Sequence, residues 1–254
     1  MPVLSYQRTA KNSKNQSLIR RTSTAPSFFY CCSLFLWLFF VLAVFEEIEM
    51  ATLLQIDSSG LSEASITRRL SAHYAEKWKE AHPNGKITYR NLTETNVPFA
   101  TEALIFAMNT PPDKLTAAQK LLLSLPDELM KELLEADTYV IGAPMYNFSI
   151  PAILKAYIDA IVRPGLTFSF EGGRPQGLLK NKKLIVLTAS GGDYSEQPMK
   201  SMDFLEPYLR GVFGFIGITD ITFVKAHGND PETKATTEAS AKAAIDQLFQ
   251  AVTA

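Results

Sequence analysis

Thr138-Tyr139-Val140-Ile141-Gly142-Ala143-Pro144-Met145-Tyr146-Asn147-Phe148-Ser149-Ile150-Pro151 is the stretch on which the reading of this chain turns. It opens as an apolar run of strand length. It continues with two aromatic rings and an amide, and ends in a proline suited to a first helical turn. A loop leaving the carboxyl end of a strand lies in the ligand crevice of an open α/β sheet. This loop offers apolar side chains and free backbone N–H groups, a mixture suited to a flat ligand with a polar edge.

Outward from that stretch, strand-length apolar runs alternate with helix-length segments. Thr52 to Ile56 reads as the first strand and Lys86 to Arg90 as a half-exposed second. Thr138 to Ala143 is the third, Lys182 to Thr188 the fourth and Asp220 to Val224 the fifth. Ile66, Leu70, Tyr74 and Trp78 make one apolar face of a helix beginning near Ser65, with Arg68 and Arg69 off that face. Leu115 to Ala136 reads as helical with a break near Pro126, where Asp127 caps the second piece. Further helices are expected over about 151–162 and 231–251. Asn96 to Pro112 reads as a long connection and Arg163 to Asn181 as an irregular excursion. The expected fold is α/β, a doubly wound parallel five-stranded sheet of order 2-1-3-4-5 with helices on both faces, in one domain over 50–254.

Residues 1–49 differ from this body. Five basic residues precede the uncharged run Ser27 to Phe45, and three glutamates follow it. Nineteen such residues can span a bilayer, so a signal anchor is one reading; a cleaved signal peptide fits less well. The favoured expectation is that Met50 is the start and that 1–49 come from an overextended reading frame. Basic residues ahead of the span would send the body across the membrane, away from cytosolic reductant. The protein is therefore expected in the cytoplasm, with membrane contact only if 27–45 are expressed.

Composition narrows the chemistry. A formal charge of -1 and the lack of a basic block beside aromatics leave nucleic acid without an electrostatic footprint. Both cysteines, Cys31 and Cys32, lie in the apolar run, so the body has no thiol for catalysis or metal binding. His73, His82 and His227 have no metal-ligand spacing, and neither a Walker pattern nor GxGxxG follows the first strand. No acid/base pair stands out, so no catalytic side chain and no metal are expected.

Three turns would meet at one sheet edge. Ser59, Ser62, Ser65 and Thr67 sit at the start of the first helix, where N–H groups and the helix dipole favour phosphate. An ordinary N-capped turn would read the same way. Tyr146 and Phe148 would lie beside solvent at the crevice, although Met145 to Phe148 could equally be a hydrophobic staple. Gly191 and Gly192 allow a close backbone approach after the fourth strand, or simply make a turn.

The chain resembles the flavodoxin-like, FMN-dependent NADH-azoreductases and quinone reductases. The resemblance covers residues 50–254. It is carried by Asp57-Ser58-Ser59 with Ser65-Ile66-Thr67, by Ala143 to Phe148, by Pro151 to Asp159, by Gly165 to Phe168, and by Phe213 to Ile218. It implies that Ser59, Ser65, Ile66 and Thr67 hold the FMN phosphate. Met145, Tyr146, Asn147 and Phe148 would then hold the ring and ribityl chain, with Ala189, Ser190, Gly191 and Gly192 on the other polar edge. Phe168 would help cover the substrate pocket beside Tyr146 and Phe148. The implied activity is ping-pong two-electron transfer from NADH through FMN to quinones and aromatic azo compounds, in a homodimer whose sites use both chains. No basic cluster awaits a 2'-phosphate, which favours NADH over NADPH. The alternative is a flavodoxin-like carrier docking to redox partners. Such carriers tend to be strongly acidic, whereas 1–49 hold five of 25 basic and three of 26 acidic residues, leaving the body only mildly acidic.

Overall fold

Thr52–Asp57 forms β1, followed by α1 (Ile66–Ala81), β2 (Lys86–Asn91), α2 (Glu102–Met108), α3 (Ala117–Glu135), β3 (Thr138–Pro144) and α4 (Ala152–Ile161). The hairpin β4 (Phe168–Glu171) and β5 (Arg174–Gly177) comes next. β6 (Lys183–Ser190), α5 (Leu205–Phe215), β7 (Asp220–His227) and α6 (Pro231–Gln250) complete the order. The structure is a computed structural model and describes residues 50–171 and 173–250. The readings made for residues 1–49, the apolar span included, lie outside the described residues. Among the described residues no helix is long and apolar enough to cross a membrane.

Five strands make one parallel sheet in the order β2-β1-β3-β6-β7. Successive side chains of a strand point to opposite faces, and both faces here are covered. Leu54, Ile56, Tyr139, Ile141, Leu184 and Val186 pack with Leu129 and Leu133 of α3, Leu154 and Tyr157 of α4, and Leu209 and Phe213 of α5. Their neighbours Leu53, Val140, Ile185 and Leu187 pack instead with Leu70, Tyr74 and Trp78 of α1 and with Ala241 and Ile245 of α6. Burial on two sides explains why the central strands read as continuous apolar runs.

Three expectations are corrected. α3 runs unbroken through Pro126, which is buried within it, and Asp127 pairs with Arg163 at 2.5 Å rather than capping a helix. An interior proline costs about 3 kcal/mol. Burying Leu123, Leu129, Met130 and Leu133 returns roughly 1.5–3 kcal/mol for each side chain, so packing decides. The long connection contains α2, capped by the Thr101 hydroxyl, which accepts from the Leu104 N–H. The irregular excursion contains an antiparallel hairpin, β4 with β5.

The register places the site. Asp57 lies beside Gly142, Pro144 beside Ala189, and Ser190 beside His227. The carboxyl ends of four strands therefore reach one edge, and their loops leave together.

Candidate functional site

The loop after β1 is tied to β3 by Ser58, whose N–H and hydroxyl both donate to the Gly142 carbonyl, at 3.1 and 2.7 Å. A Cβ on Gly142 would stand 2.6 Å from a carboxylate oxygen of Asp57 and 3.2 Å from the Thr67 carbonyl, so only glycine lets α1 start this close to the sheet. Ser65 caps α1, accepting from the Arg68 N–H, and its hydroxyl lies 3.1 Å from that of Thr67. Ile66 and Thr67 are the first helical residues, so their N–H groups have no acceptor within the helix. No acidic residue occupies this first turn. Buried hydroxyls, free amides and the positive end of the helix dipole thus face one spot.

The loop after β3 is a tight turn. Tyr146 and Ser149 exchange N–H to carbonyl bonds at 2.9 and 3.1 Å, while Asn147 and Phe148 adopt φ of 49° and 71°. Two successive positive φ values define a type I' geometry, which Asn tolerates and a bulky ring does not. The strain is held by its surroundings. The Phe204 N–H donates to the Phe148 carbonyl at 3.0 Å, and the Met145 N–H donates to the Ala189 carbonyl at 2.8 Å. The turn leaves Tyr146 40% and Phe148 38% exposed, beside solvent as the sequence suggested.

After β6, the Ser190 hydroxyl donates to the Gly192 carbonyl at 2.7 Å, and the Ser190 carbonyl accepts from the Gly228 N–H. A Cβ on Gly191 would meet the Asn229 side chain at 2.5 Å. That glycine therefore admits a side chain from the β7–α6 loop, a neighbour that the sequence did not indicate.

These turns enclose one cleft of about 290 Å³. Ser59, Ser65, Ile66 and Thr67 form one wall, Met145 and Tyr146 a second, and Ala189, Ser190 and Gly191 a third. Asn147, Phe148 and Gly192 stand just outside the lining, and the Phe148 ring meets Tyr194 edge-on at 6.3 Å. Phe168 does not line the cleft of its own chain. Its ring packs on Phe215 and Phe170, 4.7 and 5.6 Å away, because the hairpin folds against the end of α5. Arg69, Gly228, Asn229 and Lys234 also line the cleft and were missed. The signal available was topological: β7 ends at the same edge as β6, so the loop after it belongs to the crevice.

Burial raises the Asp57 carboxyl above its ordinary value, opposed by hydrogen bonds from Ser71 and Tyr89 and by the nearby Arg68 charge. Among the described residues no group of three or more His, Cys, Asp or Glu side chains could hold a metal ion. His73 pairs with Asp246, and His82 stacks on Trp78.

Residues 51–249 match the family described as having a flavodoxin-like fold. An FMN-dependent NADH:quinone oxidoreductase of Nostoc punctiforme is 46% identical over 79% of this chain and 98% of its own. One from Acidobacterium capsulatum is 48% identical over 70% of this chain and 87% of its own. An azoreductase structure from Bacillus anthracis superposes with a TM-score of 0.73 at 28% identity, over 79% of this chain and 99% of that one. A Bacillus anthracis FMN-dependent NADH-azoreductase, solved in complex with FMN, gives 0.70 at 28% identity over 79% and 100%. The chain belongs to the flavodoxin-like family, in the branch of the FMN-dependent NADH:quinone oxidoreductases and azoreductases.

Proposed function

We propose that this protein is an FMN-dependent oxidoreductase that passes electron pairs from NADH, one pair to each quinone and two successive pairs to each aromatic azo compound, so that the azo bond is cleaved to two amines. The observation that carries the reading is the single cleft in which the amino end of α1 and the Tyr146–Ser149 turn share one rim. One end suits a phosphate and the other a flat ring, which is the shape and polarity of FMN.

Bound FMN supplies a centre that accepts and releases an electron pair. The hydroxyls of Ser59, Ser65 and Thr67, with the Ile66 and Thr67 N–H groups, would hold its phosphate. Met145, Tyr146, Asn147 and Phe148 would hold the ring and ribityl chain, and Ala189 to Gly192 the remaining polar edge. Tyr146 and Phe148 provide apolar surface at the mouth that excludes water and stacks flat substrates. Both substrates would use that mouth in turn, so ping-pong kinetics are expected.

We further propose a homodimer in which Phe168 completes the slot of a second copy. Phe168 is not among the residues lining the cleft of its own chain, and the hairpin region carries Leu166 and Phe170 at 41% and 67% exposure. Residues 50–254 would be the catalytic domain, working in the cytoplasm where NADH is supplied. With the hairpin set aside, β2-β1-β3-β6-β7 corresponds to a doubly wound sheet of order 2-1-3-4-5.

The test is direct. The purified full chain should be yellow or become so with FMN, bleach with NADH without air, and regain colour with a benzoquinone. A colourless protein that FMN cannot reconstitute would overturn the proposal.

A further inference from the structure

Arg68 lies outside the cleft, yet it grips the loop that forms one wall. Its Nε donates to the Leu61 carbonyl and a terminal nitrogen donates to the Ser59 carbonyl, both at 2.8 Å. That nitrogen also reaches the Asn91 amide oxygen at 2.8 Å and the Thr93 hydroxyl at 3.2 Å, at the end of β2. The other terminal nitrogen donates to the Tyr89 hydroxyl at 3.2 Å and stands 3.8 Å from the Asp57 carboxylate. Only 15% of the side chain is exposed, and it lines a separate hollow with Gln55, Asp57 and Tyr89.

A trans peptide is planar, with its C=O and N–H on opposite sides. Drawing the Ser59 and Leu61 carbonyls onto one guanidinium therefore turns the N–H groups of Gly60 and Ser62 away from it. The Gly60 N–H meets the hydroxyl of Tyr146, a wall of the cleft. The task needs the five donors and fixed fork of arginine, because a lysine ammonium cannot span two carbonyls and the β2 acceptors together.

We propose that Arg68 is a positioning residue that sets, from behind, the shape of the loop beside the phosphate end of the cleft; this rests on the FMN reading above. The loop's N–H groups and the Ser59 hydroxyl are then organised before any phosphate arrives. The ring end is built from the β3 and β6 loops, which Arg68 does not contact; the Ser59–Gly60 contact with the Tyr146 hydroxyl is the link between them and the loop it holds.

The experiment titrates the full chain with FMN and with riboflavin, which lacks the phosphate, and follows flavin fluorescence. Arg68→Met and Arg68→Lys are each expected to weaken FMN binding by about tenfold and riboflavin binding by less than about twofold. Equal loss for both flavins, no loss for either, or full retention by Arg68→Lys would overturn the inference. Should both variants fail to fold, Asn91→Ala withdraws one acceptor and leaves the arginine in place. It is expected to weaken FMN by about threefold and to spare riboflavin, and unchanged FMN affinity there would also overturn the inference. A wild-type chain that binds neither flavin would instead remove the FMN reading itself.

Discussion

Gly60 and Tyr146 are joined across two loops: the Gly60 N–H donates to the Tyr146 hydroxyl at 3.2 Å, and the Ser59 hydroxyl lies 3.4 Å from the same oxygen. The β1-loop wall and the β3-loop wall of the cleft are thereby latched by one phenol. Tyr146→Phe removes the latch and keeps the ring. It should cost about 1 kcal/mol of stability and speed hydrogen exchange at the Gly60 amide. Unchanged exchange at that amide would show that the latch is not populated in solution.

The Tyr146–Ser149 turn needs positive φ at Asn147. Asn147→Gly should leave thermal stability near that of the parent, whereas Asn147→Ala should lose about 1 kcal/mol, because alanine lacks the local hydrogen bonding that eases this region for asparagine. Denaturant melts of the pair decide the matter, and equal stability would argue against the turn geometry.

The Tyr157 hydroxyl is buried beneath α4 with no hydrogen-bond partner among the described residues. Burial pushes its ionisation far above the ordinary phenol range. An unsatisfied buried hydroxyl is unfavourable by about 1–3 kcal/mol, so Tyr157→Phe should hold or raise the melting temperature. A clear fall would reveal a partner, such as an ordered water.

Arg69 on α1 and Glu238 on α6 pair at 2.6 Å beside the cleft. Hydrogen bonding from Arg69, and secondarily from Lys242, lowers the Glu238 carboxyl below its ordinary 4.5, against the opposing effect of burial. A depressed carboxyl stabilises the fold above its unfolded value and loses that contribution as pH falls through the folded value. Glu238→Gln should therefore lower stability at neutral pH, by no more than about 1 kcal/mol for a partly exposed pair. The deficit should shrink as pH drops below 4.5. A pH-independent deficit in thermal melts would rule out this account.

The legible parts of the sequence were those with local causes. Ser65 is a strong cap before a four-residue stripe, and the run Thr138 to Ala143 has the length of a buried strand, so α1 and β3 were readable to within about a residue. Pro126 misled because local propensity favours a break while the buried leucines around it hold one helix. Arg68 read as a charge on an outer face, since its acceptors on the loop and β2 become neighbours only in the folded sheet. The positive φ of Phe148 has no signature in a bulky side chain; it is imposed by the hydrogen bonds of its neighbours. Asn229 in the β7–α6 loop and Lys234 in the first turn of α6 reach the cleft through tertiary placement, which no short motif marks.

The central claim is that the β1, β3 and β6 loops jointly hold one phosphorylated flat redox group. The most direct measurement is a crystal structure of the full chain with FMN. The account predicts the phosphate on the Ile66 and Thr67 N–H groups within reach of the Ser59 and Ser65 hydroxyls, and the ring against the Tyr146–Phe148 turn. FMN bound elsewhere with this cleft empty, or no binding at saturating FMN, would contradict it.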